Sequence, residues 1–235
     1  MIRRSADDLR RIAERAAKDL ELASAEENLA WAAHEFRGFV VSTQSMTKTT
    51  VATMIHELGL EIPAIFIDTG FHFVETLQTR DALLRSGQSV VTVASEMSLE
   101  EQVRVHGPDL WSRDPDLCCA IRKVRPLDDC LAGMEAWVTG LRRSQSDTRQ
   151  QVQPVSFDEG RGIVKISPLC SWSDEQVDAY GREHPVIVNP LVAVGYPSIG
   201  CWPCTRAIEE TTEHARAGRW DGFDKTECGL HDLAN

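Results

Sequence analysis

The amino-acid sequence predicts an α/β fold in which a parallel sheet carries helices on both faces. Short apolar runs alternate with segments of helical periodicity between residues 38 and 166, and turn or capping residues separate them. The chain has 235 residues, of which 42% are hydrophobic, so it can bury the core of one large domain. Successive units of this kind join parallel strands by right-handed crossovers, and their ligands bind beyond the carboxyl ends of the strands.

Strands and helices can be assigned in order along most of the chain. Residues 6–36 repeat apolar residues at helical spacing and predict one or two leading helices. Strands are predicted at residues 39–41, 63–67, 90–93, 136–139 and 163–166. Helices are predicted at residues 51–58 and 74–84, from about Ser98, and after an N-cap at Ser173. The loops after Val41 and Ile67 are therefore expected to line the ligand site.

Charge and hydropathy restrict the partners of the protein. The formal net charge is −11, which argues against a dedicated nucleic-acid binder because such proteins carry a basic excess that neutralises phosphates. Residues 1–27 lack the apolar core of a signal peptide, and no later segment approaches the roughly 18 apolar residues of a membrane span. We therefore expect a cytoplasmic protein with no nucleic-acid or membrane partner. The sequence leaves a homo-oligomer open.

Four of the seven cysteines form a pattern typical of a metal centre. Cys118 and Cys119 are adjacent at the start of a predicted helix, and Cys201 and Cys204 form a C-x-x-C motif. In a reducing compartment, cysteines in such motifs indicate metal ligation or catalysis rather than disulfides. A C-x-x-C motif suits zinc or an iron–sulfur cluster. Adjacent cysteines point in divergent directions, which favours a [4Fe-4S] cluster modestly over tetrahedral zinc. Unliganded buried thiols are a third possibility.

A cysteine in the tail is the candidate nucleophile. Cys228 lies close to the last residue, and chain ends are generally exposed, which favours reactivity. Lys225 and His231 lie near it in sequence and could stabilise a thiolate, whereas Glu227 would oppose one. The competing interpretation is an inert exposed cysteine. The remaining cysteines, Cys130 and Cys170, lie in apolar contexts and are assigned to packing.

Local cations in this acidic chain point to an anionic substrate. Most isolated arginines are solvated surface residues, but several here follow predicted strand ends or the cysteine motifs, where an open α/β sheet binds its ligand. Guanidinium groups suit phosphate or sulfate oxygens. The candidates are Arg122, Lys123, Arg142, Arg143, Arg149, Arg216 and Arg219.

Five segments form a combination that is specific in its order. They are residues 66–76 (FIDTGFHFVET), the pair 118–119 with 122–124 (RKV), residues 137–143 (WVTGLRR), residues 195–201 (GYPSIGC) and the tail residues 227–231 (ECGLH). Together they resemble the assimilatory adenylyl-sulfate (APS) reductases of the phosphoadenylyl-sulfate (PAPS) reductase family. The resemblance runs from about Phe39 to His231, and it implies a Rossmann-like fold similar to that of the adenine-nucleotide α-hydrolases.

The resemblance implies a thioredoxin-dependent reduction of APS to sulfite and AMP in sulfate assimilation and cysteine biosynthesis. It implies that Cys228 attacks the sulfonyl sulfur and carries an S-sulfocysteine, from which a thioredoxin dithiol releases sulfite. Members with both cysteine pairs resemble [4Fe-4S] enzymes that act on APS, whereas members without them generally take the 3′-phosphorylated substrate, PAPS. The implied cluster ligands are Cys118, Cys119, Cys201 and Cys204. The implied substrate contacts are Ser42, Ser45, Lys123, Gly140, Arg142, Arg143, Arg149, Arg216, Arg219 and His231.

The loop after the first predicted strand departs from the family. Residues 42–50 (STQSMTKTT) contain no glycine, whereas many relatives have one there and the ATP-splitting relatives have a glycine-rich pyrophosphate loop. Hydroxyl groups and the following helix N-terminus can still hold an anion. The loop argues against the main rival, an iron–sulfur tRNA-thiolating ATP pyrophosphatase, which also needs a basic RNA face. Two further rivals are a PAPS reductase and a zinc-stabilised interaction module.

The same motifs suggest a division of the chain into three parts. We expect leading helices at residues 1–37, a sulfonucleotide-binding and iron–sulfur reductase domain at residues 38–214, and a mobile tail with the nucleophile at residues 215–235.

Overall fold

Two helices precede the sheet in the computed structural model, which describes residues 3–209 and 215–231. They are α1 (Ala6–Asp19) and α2 (Ala25–Glu35). Ser5 and Ser24 cap their N-termini, and Glu27 completes a capping box on α2. Leu9 and Leu29 are 0% exposed and share one core with the strands behind them. The prediction of leading helices is therefore confirmed.

A six-stranded sheet in the order β3-β2-β1-β4-β6-β5 lies at the centre of the fold. Its strands are β1 (Val40–Thr43), β2 (Ala64–Asp68), β3 (Val90–Ala94), β4 (Ala136–Val138), β5 (Val155–Asp158) and β6 (Ile163–Ile166). Every neighbouring pair is parallel except β5 and β6. The predicted α/β fold is confirmed, and the five predicted strands agree with β1, β2, β3, β4 and β6 to within two residues at each end.

The strand β5 is not predicted by the sequence, and it makes the sheet mostly rather than entirely parallel. Pro154 precedes the strand, and its four residues do not alternate between buried and exposed positions. A short turn leads directly into β6, and the backbone N–H of Gly162 donates to the carbonyl of Asp158 at 2.7 Å. Two strands joined by so short a turn pair antiparallel. The result is one antiparallel strand at the edge.

The remaining helices follow the strands. They are α3 (Thr50–Glu57), α4 (Val74–Arg85), α5 (Leu99–His106), α6 (Leu110–Arg113), α7 (Pro115–Cys119), α8 (Arg125–Leu131) and α9 (Asp174–Glu183). A π-helical turn, Ala120–Val124, joins α7 to α8. The predicted N-cap Ser173 and the predicted helix start near Ser98 are confirmed, since both hydroxyls accept a backbone N–H of the first helical turn. In the described ranges, no helix has the length and apolarity needed to cross a membrane.

The strand order reverses beside β1, and this reversal positions a binding crevice. β1, β2 and β3 extend to one side in chain order, whereas β4 returns to the other side of β1. The loops after β1, β2 and β4 therefore leave the same edge, which we call the carboxyl edge, and ligands of such sheets bind there.

The predicted three-part division of the chain stays a prediction. The helices α1 and α2 share a core with β1 and β4 rather than standing apart from them. The second proposed boundary follows residue 214, which lies outside the described residues.

Candidate active site

The carboxyl edge of the sheet opens into a cavity of about 490 Å³. Gln44 from the loop after β1 and Thr69 from the loop after β2 line it, as the sequence predicts for these loops. Further walls come from the π-helical turn, the loop after β4, the first turns of α9 and the segment 215–231. The predicted site residues that line this cavity are Ser45, Lys123, Gly140, Arg142, Arg149, Arg216, Arg219, Cys228 and His231.

Two predicted substrate contacts lie away from the cavity. Ser42 is 0% exposed, and its hydroxyl donates to the carbonyl of Pro63 at 3.4 Å. Arg143 is exposed, and its Nε donates to the carbonyl of Val152 at 2.7 Å. Each directly adjoins a residue that lines the cavity. Ser42 lies in β1, where consecutive side chains point to opposite sides, whereas Arg143 begins a 3-10 helical turn, Arg143–Gln145. The structure therefore does not bring Ser42 or Arg143 to the site.

The thiol of Cys228 lies inside the cavity and is partly buried, rather than exposed on a free tail. Burial by itself raises the pKa of Cys228. The positive charges of Lys123, Arg219 and Arg216, together with the backbone at Leu230, outweigh burial and lower this pKa below its ordinary value. A lower pKa increases the fraction of thiolate at neutral pH, and the thiolate is the nucleophilic form.

The sequence neighbours that we expected to act on Cys228 have other partners. Lys225 forms an ion pair with Asp116. His231 stacks on Trp137, with ring centroids 5.1 Å apart and an interplanar angle of 19°. Burial and the surrounding cations lower the pKa of His231 well below its ordinary value, so the imidazole is neutral. The charge that stabilises the thiolate therefore comes from cations that are remote or several residues away in sequence.

Glu227 binds two arginines of the cavity and thereby holds the tail in place. Arg149 donates from Nε and Nη2 to the two carboxylate oxygens, each at 2.8 Å. Arg216 donates from Nη2 to Oε2 of Glu227 at 3.0 Å and to the carbonyl of Thr226 at 2.8 Å. Burial raises the pKa of Glu227, but these bonds outweigh burial and lower it below the ordinary value. The carboxylate expected to oppose the thiolate is thus neutralised by its own partners.

Arg219 passes next to Gly200 on its way to the cavity. A Cβ atom at Gly200 would stand 2.1 Å from Nη2 of Arg219, so a side chain there would displace the guanidinium from its present position. The guanidinium carbons of Arg219 and Arg216 lie 4.6 Å and 5.7 Å from the ring centroid of Trp220. The buried indole therefore supports both cations by cation–π contact.

The four cysteines predicted as ligands line one narrow cleft beside the cavity. All four are free thiols. Burial and then the neighbouring sulfur atoms raise the pKa of Cys118 to about 12, and burial raises that of Cys119 to about 11. The hydroxyl of Thr69 lies 3.3 Å from Sγ of Cys201. Thiols that disfavour one another's ionisation become stable thiolates when a metal centre supplies positive charge, so the donor set fits such a centre. Within the described ranges, no three cysteine, histidine or carboxylate side chains form a site for a single metal ion.

Lys123 connects the cleft to the cavity, because it lines both. It lies in the π-helical turn that follows the cysteine pair, and it is 8% exposed. Burial disfavours its ammonium group, but the sulfur atoms of Cys201, Cys228 and Cys119 outweigh this and raise the pKa above its ordinary value. Its neighbour Arg122 instead donates to a glutamine side chain and to two backbone carbonyls at the start of α5. Arg122 is therefore structural.

Several residues of the site are missed by sequence reasoning. Asp174 and Asp178 line the cavity from α9. The predicted N-cap at Ser173 and the spacing of four residues, which places both on one helix face, could have identified them. Trp220 has no comparable signal, because its role depends on the tertiary position of two arginines.

A crevice at the reversal point of a mostly parallel sheet, lined by cations and by a thiol of lowered pKa, is typical of an α/β enzyme that binds an anionic ligand. The family profile described as the phosphoadenosine phosphosulfate reductase domain matches residues 38–207. The chain belongs to this family.

Curated relatives match this chain over nearly its whole length. The protein named adenosine 5′-phosphosulfate reductase from Streptomyces coelicolor is 49% identical over 229 residues, which cover 97% of each chain. The protein of the same name from Mycobacteroides abscessus is 46% identical over 226 residues, which cover 96% of this chain and 95% of that protein.

Solved structures show the same architecture. The phosphoadenylyl-sulfate reductase of Candida auris, in a phosphate complex, has a TM-score of 0.71 and 30% identity over 83% of this chain and 96% of that chain. The FMN adenylyltransferase of Candida glabrata in complex with ATP has a TM-score of 0.55 at 13% identity, over 97% of this chain and 78% of that chain. The second likeness shows the fold alone.

Proposed function

We propose that this protein reduces APS to sulfite and AMP in sulfate assimilation, with a thioredoxin dithiol as the electron donor. The observation that carries the proposal is the placement of Cys228. Its thiol, with a lowered pKa, lies in the cavity next to Lys123, Arg216 and Arg219. The curated relatives described above are named for the reduction of APS.

In the proposed reaction, the Cys228 thiolate attacks the sulfur of the sulfonyl group. A sulfur–sulfur bond forms, the bond from that sulfur to the bridging oxygen breaks, and AMP leaves with the electron pair. Cys228 then carries an S-sulfocysteine. A thiolate of the donor attacks Sγ of Cys228 and expels sulfite, and the second donor thiol resolves the mixed disulfide. Cys228 returns as the thiolate and the donor leaves as a disulfide, so two electrons have passed to the substrate sulfur.

The cavity cations would remove an electrostatic obstacle to this reaction. The thiolate and the phosphosulfate are both anionic, so nearby positive charge must offset their repulsion and stabilise the departing phosphate. Lys123 and Arg219 face the thiol, while Arg149 and Arg216 hold the tail and lie at the same cavity. We assign these four residues to the phosphosulfate.

The rest of the substrate would contact the sheet side of the cavity. Gly140 is exposed there and can offer its backbone to the adenosine, and the hydroxyl of Ser45 lies on the loop after β1. The remaining predicted contacts that reach the cavity are Arg142 and His231.

We propose that the four cysteines of the narrow cleft, Cys118, Cys119, Cys201 and Cys204, hold a [4Fe-4S] cluster. Their convergence on one cleft and their free thiols support this assignment. When bound, the cluster would supply an electrostatic field beside the active site, while the electrons come from the donor dithiol. Lys123 lines both regions, so it would transmit this field to the thiol of Cys228.

We also propose that the protein works in the cytoplasm. A reaction that depends on a donor dithiol and on free protein thiols needs a reducing compartment.

The proposed function is tested by sulfite release from anaerobically purified protein with thioredoxin and either APS or PAPS. We expect sulfite from APS and a strong preference for APS over PAPS. No release from APS refutes the function, and comparable efficiency on both substrates refutes the preference.

The cluster assignment has a separate test, which needs no turnover. The purified protein should show a broad absorbance near about 400 nm and bind iron. Cys201→Ser should be colourless and depleted of iron, because it removes one of the proposed ligands. Cys170→Ser is the matched control, since Cys170 is buried but does not line the cleft, and it should keep its iron. Full iron content in Cys201→Ser contradicts the assignment.

A further inference from the structure

Two carboxylates lie in the wall of a cavity that is otherwise positive. In the part of the chain that the structure describes, the lysine, arginine, aspartate and glutamate side chains that line the cavity are Lys48, Lys123, Arg142, Arg149, Arg216 and Arg219 together with Asp174 and Asp178. Negative charge in the wall weakens the binding of any anionic substrate. The two aspartates therefore call for a role of their own.

Each aspartate is paired with a cation of the same wall. Arg142 donates from Nη2 to Oδ1 of Asp174 at 2.5 Å, and Nζ of Lys48 binds Oδ1 of Asp178. The aspartate side chains are 50% and 51% exposed, whereas that of Arg142 is only 11% exposed. Both carboxylates lie on one face of α9, one turn apart, opposite the loops after β1 and β4.

These two ion pairs are distinct from the cations that act on Cys228. Lys123, Arg219 and Arg216 are the positive charges that act on its thiol, and Glu227 binds Arg149 and Arg216. The phosphosulfate must lie next to the thiol, so the nucleoside has to extend into the rest of the cavity. Within the described ranges, the lysine, arginine and carboxylate side chains that line this remaining part of the cavity belong to the two ion pairs, Arg142–Asp174 and Lys48–Asp178.

We propose that Asp174 and Asp178 make the cavity selective for a nucleotide that carries no second phosphate on its ribose. The inference rests on the proposed function and names the residues that set its substrate preference. The aspartates neutralise two cations that would otherwise bind such a phosphate, and they also repel it. Because a phosphate monoester carries about −1.5 to −2 charges at pH 7, the repulsion acts on the 3′-phosphorylated nucleotide and not on one with a 3′-hydroxyl.

The test uses Asp174→Asn and Asp178→Asn, singly and combined, because asparagine keeps the shape and removes the charge. Calorimetry measures the Kd of AMP and of adenosine 3′,5′-bisphosphate, which report binding without turnover. In the double variant, the affinity for the bisphosphate relative to AMP should rise at least tenfold, or about 1.4 kcal/mol. The ratio of kcat/KM for PAPS to that for APS should rise in the same direction. Glu183→Gln removes one charge from the exposed end of the same helix and should leave both ratios unchanged.

The outcomes separate this inference from the proposed function. An unchanged ratio in the double variant, with the wild type active on APS, overturns the inference alone. An equal shift in Glu183→Gln also overturns it, because the effect would then reflect general charge. No sulfite release from APS by the wild type refutes the proposed function, and the binding ratio still tests the aspartates. Circular dichroism checks folding, and the single variants carry the same test if the double variant fails to fold.

Discussion

At the scale of single residues, Cys228 owes its lowered pKa to groups that the folded chain brings to it. Lys123 and Arg219 lower its pKa, whereas its sequence neighbours Lys225 and His231 contribute no direct ion pair to it. The pKa is lowered only while the tail lies over the cavity, so closing the tail and ionising the thiol favour each other. This linkage strengthens closure as the pH rises through the lowered pKa of Cys228.

Replacing Cys228 with serine should separate binding from chemistry. A hydroxyl is far less ionised and less nucleophilic than a thiol near neutral pH, so sulfite release should fall by several orders of magnitude, at least about 4 kcal/mol of barrier. AMP should still bind with a Kd within about threefold of the wild type by calorimetry, because the cations remain. Cys130→Ser is the control and should keep activity. Normal turnover by Cys228→Ser would show that the tail cysteine is not the nucleophile.

At the scale of elements, the tail segment 226–231 is held closed mainly by charge. Glu227 connects it to Arg149 and Arg216, and His231 packs on the face of Trp137. The lowered pKa of Glu227 means that its contribution to closure is fully present above the ordinary carboxyl pKa of about 4.3 and is lost as the pH falls through the lowered value. Near neutral pH, the ion pairs of Glu227 with Arg149 and Arg216 therefore do not depend on pH. Only a substitution or a bound ligand can break them.

Replacing Glu227 with glutamine should open the tail and leave the nucleotide site intact. The amide keeps the shape but loses the charge that holds two arginines, so hydrogen exchange over residues 226–231 should increase. We expect kcat to fall at least about tenfold, or about 1.4 kcal/mol. AMP should bind as tightly as before or more tightly, because Arg149 and Arg216 become available to it. Asp224→Asn, which changes an exposed carboxylate just before this segment, is the control. Unchanged hydrogen exchange in Glu227→Gln would contradict the role as a clamp.

The elements also show which features sequence patterns can predict. Strands such as β2 are continuous apolar runs, and capped helices such as α9 have a local start signal, so both are predictable. The short strand β5 has neither alternation nor an apolar run, and its pairing depends on the turn that precedes β6. The direction of a side chain is a further feature that the sequence patterns do not predict. Ser42 stands one residue from the cavity-lining Thr43, and in a strand a one-residue difference reverses the direction of the side chain. Arg143 follows the cavity-lining Arg142 but begins a 3-10 helical turn.

At the scale of the whole molecule, the topology brings distant motifs to one edge of the sheet. The cysteine pair follows β3, the C-x-x-C motif lies far beyond α9, and the tail returns to both. The combination of motifs predicts that they lie together at this edge, because the reaction that the family resemblance implies needs all of them at one site. The N-cap at Ser173 and the spacing of four residues place the two aspartates of α9 on one helix face. The ring of Trp220 has no such local signal, because its role arises from contacts with two arginines that the fold brings to it.

The enclosed position of Cys228 has a consequence for the whole catalytic cycle. In the proposed mechanism the donor has to reach Sγ of Cys228, yet the thiol lies inside the cavity when the tail is closed. This mechanism therefore needs a tail that closes for the attack on APS and opens for the release of sulfite. Protein mixed with APS and no thioredoxin should stop between these steps and gain the mass of one SO3 group. Intact-protein mass spectrometry measures this gain, and peptide mapping should place it on the C-terminal peptide.

In the adduct, the thiolate that the cations stabilised has become a bulkier sulfonated sulfur. We expect hydrogen exchange over residues 226–231 to be faster in the adduct, after AMP is removed, than in Cys228→Ser with APS bound. Addition of reduced thioredoxin should then release sulfite and restore the original mass in a single turnover. An adduct on Cys130 or Cys170 would contradict the mechanism. If the tail exchanges equally slowly in both states, thioredoxin reaches Cys228 without opening of the tail. The hydrogen-exchange comparison therefore tests the tail motion independently of the chemistry.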